Sequence, residues 1–426
     1  MLIHTVKRGE TLTSIARQYG VSVSRLRTDN GLTNTDALVV GQALIVTLPR
    51  QTYTVRAGDT VSSIARSFGI TQLELIQRNP SLALSDTIYP GQTLTITFQG
   101  DIIRTIDING YAYPHINRTT LRRALPYLTY LSIFSYGFRT GVELIIPDDT
   151  ELISIAYQYR AAPVLVLTSI DENGTFSSAN ASKLFNDIPF QNRVLDQLIA
   201  IMEQKGYLGL DADFEYIPAE DARAYFGFLG NARARLAEKG YFLNVALAPK
   251  TRANQPGLLY EAHDYGVIGG IADMVLLMTY EWGYTYGPPM AVAPLNQVRA
   301  VVRYAVTEIP RDKILMGIPN YGYDWTLPYE QGVSRATNIG NEYALRIAAR
   351  NGAEIQFDPE AQSPWFNYTS GGSRHIVWFE DVRSIQAKLS LADEFGLLGV
   401  GYWNVMRPFA QNWALLASRY GINKIV

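Results

Sequence analysis

From about residue 101 onward the chain alternates between short, nearly continuous apolar runs and longer segments whose apolar positions recur every third or fourth residue. The first texture is that of strands buried on both faces, and the second that of helices with one buried stripe. Strands are expected over 105–111, 131–138, 163–169, 207–215, 242–249, 273–281, 314–320 and 397–403, and helices over 148–160, 181–205, 218–239, 291–308 and 410–420. Eight such strands alternating with helices predict the α/β class and a closed (β/α)8 TIM barrel over 100–426. A doubly wound sheet would place a G-x-G-x-x-G turn after its first strand, and DINGY at 107–111 does not supply one. The stretch 323–375 is too long for a plain βα connection and holds a helical pattern at 342–351. A small α+β lobe inserted beside the active face is therefore expected.

The first hundred residues have a different rhythm. VKRGETLTSIAR at 6–17 returns as VRAGDTVSSIAR at 55–66, and VGQ at 40–42 returns as PGQ at 90–92. Two copies of one small βααβ module are expected, over 1–49 and 50–99. Each copy opens with a short strand, turns at Gly9 or Gly58, and caps its first helix with Thr11 or Thr60. A second helix over 23–29 or 72–78 ends at Asn30 or Asn79, and an alternating strand at 43–48 or 93–98 closes the copy. Modules this small bury little core, so a binding surface is expected of them and no chemistry.

Composition acts mainly by exclusion. The chain has 426 residues, and 37 Lys and Arg against 39 Asp and Glu leave a net charge of −2, which gives no field for gathering nucleic acid or anionic lipid. Without Cys there are no disulfides, thiol nucleophiles or thiolate metal sites. The four His (His4, His115, His263 and His375) are scattered and form no H-E-x-x-H pair, so no metal is expected. No apolar core of a secretory signal follows the N-terminus, and no apolar run approaches the roughly 18 residues that span a bilayer. Synthesis without a signal peptide, no membrane insertion and a monomer are the corresponding expectations.

The chemistry concentrates in GYLGLDADFE at 206–215. Side chains alternate faces along a strand, so Asp211, Asp213 and Glu215 share one side while Ala212 and Phe214 share the other. Carboxylates stacked inside a barrel cost far more than a folding role could offset, so function is the expected explanation. Such charges cannot all ionise in a low dielectric, and Glu215, nearest the C-terminal end, is expected to hold a raised pKa suited to a general acid. A solvated strand end or a cation site would also place acids here, although the loop pattern D-x-[DN]-x-[DN]-G is not met.

Two resemblances sharpen this reading. The duplicated G-[ED]-T, the Asn30 and Asn79 helix ends and the repeated G-Q resemble the LysM module, which implies that Gly9, Thr11, Asn30, Gly58, Thr60 and Asn79 belong to surfaces for N-acetylglucosamine glycans. GLDADFE at 209–215 resembles the D-G-x-D-x-D-x-E signature of family 18 glycoside hydrolases, with Leu208 standing where the signature has its first Asp. The resemblance covers nearly all of 101–426. It implies that Glu215 protonates the glycosidic oxygen, that Asp213 orients the 2-acetamido group of the substrate, and that Asp211 shares the charge of Asp213. MTY at 278–280 is similar to the family's M-x-Y, which implies an acetamide contact for Tyr280 beside Met278, and Trp403 matches its aromatic floor. Tyr111, Tyr321, Glu281 and Trp282 are further expected sugar contacts.

Asp213 and Glu215 point the same way from one strand, so neither is placed to attack from the opposite sugar face. The acetamide oxygen of the substrate is then the expected nucleophile, with retention of configuration and no cofactor. The pairing of two LysM-like modules with this barrel resembles the cortical-fragment-lytic N-acetylglucosaminidases of spore-forming bacilli. That implies a spore enzyme acting on cortex peptidoglycan during germination. A chitinase or chitooligosaccharide hydrolase, a non-catalytic glycan-binding protein, a structural coat protein that adheres through its repeats, and a cell-wall or extracellular location are the alternatives. The modules are expected to anchor insoluble glycan while the barrel alone suffices for soluble fragments.

Overall fold

Eight parallel strands close into a barrel in the computed structural model, which describes residues 1–33, 36–139, 144–171 and 174–426. They are β1 Arg104–Ala112, β2 Tyr130–Phe138, β3 Ala162–Thr168, β4 Gly209–Asp213, β5 Phe242–Leu247, β6 Met274–Leu277, β7 Ile314–Pro319 and β8 Gly399–Trp403. Each pairs with its neighbours in sequence, and β1 also pairs with β8, which closes the ring. Helices cover the outside, and β3 is buried along its whole length, as its unbroken apolar sequence requires.

Several elements differ from the sequence expectation for local reasons. The helix expected over 181–205 is two helices, Ser178–Asn186 and Ile188–Lys205, because Pro189 can occupy a first turn but not a helix interior. Likewise the helix expected from 291 begins at Leu295, directly after Pro294. Strand β6 stops at Leu277 and not at 281, since the N–H groups of Thr279 and Tyr280 turn back onto the carbonyls of Leu277 and Met278 at 2.8 and 2.9 Å. The run expected to end at 215 ends as a strand at Asp213, leaving Glu215 on the following loop.

After β7 the chain builds a five-stranded antiparallel sheet, ordered Thr337–Ile339, Gly322–Leu327, Ser373–Trp378, Ser363–Ser370 and Gln356–Asp358, with the helix Asn341–Arg350 against it. Gly371 and Gly372, both at positive φ (58° and 81°), make the two-residue turn that joins its longest strands.

Each N-terminal module pairs its first strand with its last. Leu2–Thr5 lies antiparallel to Ala43–Val46, and Pro49–Thr54 to Thr93–Phe98. The helices between them are Leu12–Tyr19 and Val23–Asp29 in the first copy, Val61–Ser67 and Gln72–Arg78 in the second. The modules are not loosely tethered. Ala43, Ile45 and Phe98 join the same apolar core as Tyr127 and Trp413 of the barrel. The Gln411 amide donates to Asn30 Oδ1 (2.9 Å) and to the Ala43 carbonyl (2.7 Å), and Gln77 donates to the Pro126 carbonyl (2.7 Å). Among the described residues no helix is long and apolar enough to cross a membrane.

Candidate active site

The two faces of β4 have opposite surroundings. Phe214, just past the strand, points outward and is fully buried among Phe185, Tyr225 and Phe228, with ring centroids 5.2, 6.0 and 5.7 Å away. That packing fixes the strand's orientation, so the alternate residues Asp211, Asp213 and Glu215 are turned inward. Asp211 and Asp213 are buried, while Glu215 is half-buried at the mouth.

Burial pushes all three carboxyls up. Asp211 is raised to about 6, against which the side chains of Tyr111, Asn244 and Ser132 stabilise its ionised form. Asp213 is held well above the ordinary range by its burial and then by the charges of Glu215 and Asp211. Glu215 is pushed up to about 7, first by burial and then by the neighbouring charge of Glu281. At neutral pH this set retains protons that exposed carboxylates would have lost.

The pocket above them encloses about 580 Å³. Asp213, Glu215, Met278, Tyr280, Glu281, Trp282 and Trp403 all line it, so residues from β4, β6 and β8 meet at one mouth. Trp403 is flanked by Phe134 and Tyr113, at centroid distances of 5.0 and 6.1 Å. The Tyr280 phenol is held far into its protonated form by burial and by the charge of Asp213, so it keeps a proton to donate. Tyr216 and Glu281 at the rim adopt left-handed backbone conformations (φ 56° and 67°), which for non-glycine residues are strained.

Tyr111 departs from expectation. It is 2% exposed and lies beneath the pocket, where its hydroxyl donates to Asp211 Oδ2 at 2.5 Å, so it supports the acid and is not available to a sugar. Tyr321 donates to Glu281 and borders a side cleft with Tyr323, Asn338 and Arg407 that shares Glu281 and Trp403 with the main pocket. In the modules, Gly9 and Gly58 form exposed turns at positive φ, and Thr11 and Thr60 cap helices through their side chains. Asn30 and Asn79 are buried. The Asn30 side chain binds the Leu26 and Ile45 backbone, and that of Asn79 binds Leu75 and Thr95, so both hold the module's shape and offer no free atom to a ligand.

Sequence reading missed several supports. Asn244 faces Asp211 in register across β4 and β5, a lone polar residue in FLNVAL that could have signalled it. His263 accepts from the Ala248 N–H through Nδ1 (2.8 Å), which leaves the proton on Nε2 for the Phe214 carbonyl at 3.1 Å. Burial lowers its pKa to about 4, so the ring is neutral and fixes the backbone next to Glu215. No sequence spacing links these residues. Among the described residues no group of three or more His, Cys, Asp and Glu side chains is arranged to hold a metal ion.

Comparison with known proteins agrees with this geometry. The model for glycosyl hydrolases family 18 matches residues 112–407, and the LysM domain model matches 4–47 and 53–97. The cortical fragment-lytic enzyme of Bacillus subtilis (strain 168) is 42% identical over 431 residues, covering 100% of this chain and 99% of its own. The crystal structure of the spore cortex-lytic enzyme SleL of Bacillus megaterium QM B1551 superposes with a TM-score of 0.84 at 37% identity, covering 100% of this chain and 99% of that one. A chitinase from Chromobacterium violaceum ATCC 12472 matches with a TM-score of 0.68 at 25% identity, over 74% of this chain and 98% of its own.

Proposed function

From the premise that the chain belongs to family 18 of the glycosyl hydrolases, we infer that it cleaves N-acetylglucosamine linkages of spore cortex peptidoglycan, with Glu215 as the general acid. The observation that carries this reading is the inward-facing pair Asp213 and Glu215, with Glu215 pushed up to about 7 in a pocket floored by Trp403. A carboxyl with that pKa is protonated for part of its time at neutral pH and can give its proton to a departing glycosidic oxygen.

Asp213 and Glu215 approach a bound sugar from the same side, so an enzyme carboxylate is not placed to attack the far face. The substrate's acetamide oxygen takes that role. As the glycosidic bond breaks and Glu215 protonates the leaving oxygen, the acetamide closes on the anomeric carbon to give an oxazolinium ion. Asp213 and the Tyr280 hydroxyl hold the acetamide in line and stabilise the charge it develops. Water then opens the ring, Glu215 takes back a proton, and the anomeric configuration is retained. Asp211 stays behind this pair, where it sets how readily Asp213 loses its proton.

The similarity to cortical fragment-lytic and spore cortex-lytic enzymes along the whole chain supports the cortex as the substrate and the spore as the place of action. Digestion of cortex fragments followed by mass analysis of the new reducing ends tests the reading. N-acetylglucosamine at those ends is expected, and muramic acid there would overturn it.

A further inference from the structure

A second large cavity, about 500 Å³, opens where both N-terminal modules meet the inserted lobe and the loop after β8. Four guanidiniums line it: Arg27 from the first module, Arg123 from the helix Arg118–Ala124, Arg346 from the lobe helix, and Arg407 from the loop after β8. Elsewhere the chain pairs many of its arginines, as Arg25 with Asp29, Arg104 with Asp393 and Arg383 with Asp381. Among the described residues none of these four joins an ion pair. Nε of Arg27 and Nη1 of Arg407 are shielded from solvent and have no hydrogen-bond partner at all. Glu342, the one acidic side chain among the described residues of the wall, accepts from the Ala410 N–H at 3.3 Å. Burial pushes its carboxyl up, and the charges of Arg346 and Arg123 act against that, so one carboxylate faces four guanidiniums.

Arg346 also lies over the Tyr343 ring, and Arg407 donates to the Asn338 carbonyl. Four guanidiniums around a single carboxylate nevertheless leave positive charge over for an anion, and their planar fork favours carboxylate or phosphate. The chain's net charge of −2 makes a general basic surface a poor explanation. N-acetylglucosamine is neutral and gives these groups nothing to bind. The muramic residues of peptidoglycan differ, because each carries carboxylate on its peptide stem or, where no stem is attached, on the free end of its lactyl ether. Tyr127 and Trp413, stacked at 5.3 Å between centroids, add an apolar wall for the rest of such a substituent. Arg407 also lines the side cleft that adjoins Glu281 and Trp403, so the two cavities meet at one side chain.

We propose that this cavity is an anion site for the stem-peptide carboxylates of muramic residues, and that Arg407 joins it to the active-site mouth so that one strand engages modules and barrel together. The proposal rests on peptidoglycan being the substrate, and its test separates the two. Binding is read by calorimetry in a Glu215→Gln background, which keeps the sugars intact. The probes are tetrasaccharides bearing peptide stems, the same tetrasaccharides with stems removed by an amidase, and a neutral N-acetylglucosamine tetramer. Stem removal frees a lactyl carboxylate close to the sugar, and that probe is expected to bind more weakly than the stem-bearing one.

Changing Arg27 and Arg123 together to Gln is expected to weaken stem-bearing fragments by about tenfold or more and to leave the neutral tetramer unchanged. The corresponding double Lys variant, which keeps the charge, recovers most of the loss. Affinity for stem-bearing fragments falls as salt rises in the parent and much less in the Gln variant. Equal binding of all three probes by parent and variant, or an equal loss on the neutral tetramer, would overturn the site. Turnover of stem-bearing fragments by the unaltered chain reports separately on the substrate: its absence, alongside a stem-selective loss in the variant, would remove the cortex reading and leave the anion site standing.

Discussion

The hydroxyl of Tyr111 on β1 donates a 2.5 Å hydrogen bond to Oδ2 of Asp211 on β4, across the interior of the barrel. Burial raises the Asp211 carboxyl to about 6, and this bond works in the opposite direction by favouring the ionised form. Replacing Tyr111 with Phe removes the donor and keeps the ring. Asp211 should then titrate higher and hold its proton at neutral pH, which removes a charge that helps to raise Asp213. A stability loss of about 1–3 kcal/mol at pH 7 is expected for the buried acceptor left unpaired. Thermal unfolding at pH 7 and pH 5 checks it, because the loss should shrink at the lower pH, where Asp211 is protonated in both proteins.

Glu215→Gln should lower turnover on the order of 10²–10⁴-fold while sugar binding survives. Its effect on stability has a definite sign. The carboxyl is raised from its ordinary 4.5 to about 7 in the folded chain, so the folded state binds the extra proton between those values. Unfolding free energy therefore falls as pH rises through this window, and the stability is fully present only below about 4.5. Gln carries no such charge. The variant should melt above the parent at pH 8 and level with it at pH 4; a constant difference across that range would place the titration elsewhere. In the parent, kcat should decline as pH rises above about 7, as the acid loses its proton.

His263 is a positioning residue, since it touches the Phe214 carbonyl beside Glu215 and not the pocket itself. His263→Ala would strand two buried backbone groups, the Ala248 N–H and the Phe214 carbonyl, at a cost of about 1–3 kcal/mol each. The kinetic consequence should fall on kcat, with KM nearly unchanged, because the proton donor and not the sugar floor is displaced. Burial keeps the ring neutral, with its pKa lowered from 6.5 to about 4, so the unfolded chain takes up a proton near 6.5 that the folded chain refuses. The melting deficit should therefore be level above that pH and shrink as pH falls through it. A deficit that grows as pH falls through 6.5 would mean that the imidazolium contributes.

The parts of this site that follow from period were legible in the sequence, and the parts that follow from contact across the barrel were not. Alternation in LDADFE suffices to set Asp211, Asp213 and Glu215 on one face, and the strand ends bring Tyr280 and Trp403 to the same mouth. Tyr111 was misplaced because the same alternation says which face a residue occupies but not how deep it sits. Proline chemistry governs the helix breaks at 187–189 and 294, which an apolar periodicity alone runs through. Asn244 and His263 act through register and burial, and no local pattern encodes either. The repeats were visible as repeats, but the docking of their second helices on the barrel depends on distant complementary residues that no local pattern reveals, Gln411 for Asn30 in the first copy and Pro126 for Gln77 in the second.

That docking changes what removal of the modules should do. Read as separate anchors, residues 1–99 could be deleted with soluble-fragment activity intact. Yet the Gln411 side chain is buried and makes three bonds: it donates to Asn30 and to the Ala43 carbonyl, and accepts from the Val382 N–H at 3.1 Å. Ile45 and Phe98 complete a core that includes Trp413, so deletion would uncover barrel residues that are now covered. At about 25 cal/mol per Å² of apolar surface, the exposure of a few such side chains is a loss of several kcal/mol. The truncated barrel should melt well below the full chain. Gln411→Glu in the intact chain should lower the melting temperature in the same direction by a smaller step, since a carboxylate would face two acceptors. Its kcat on short soluble fragments, measured well below that melting point, should match the parent. A truncated barrel that melts with the full chain would show that the modules are held by these contacts without contributing to the barrel's stability.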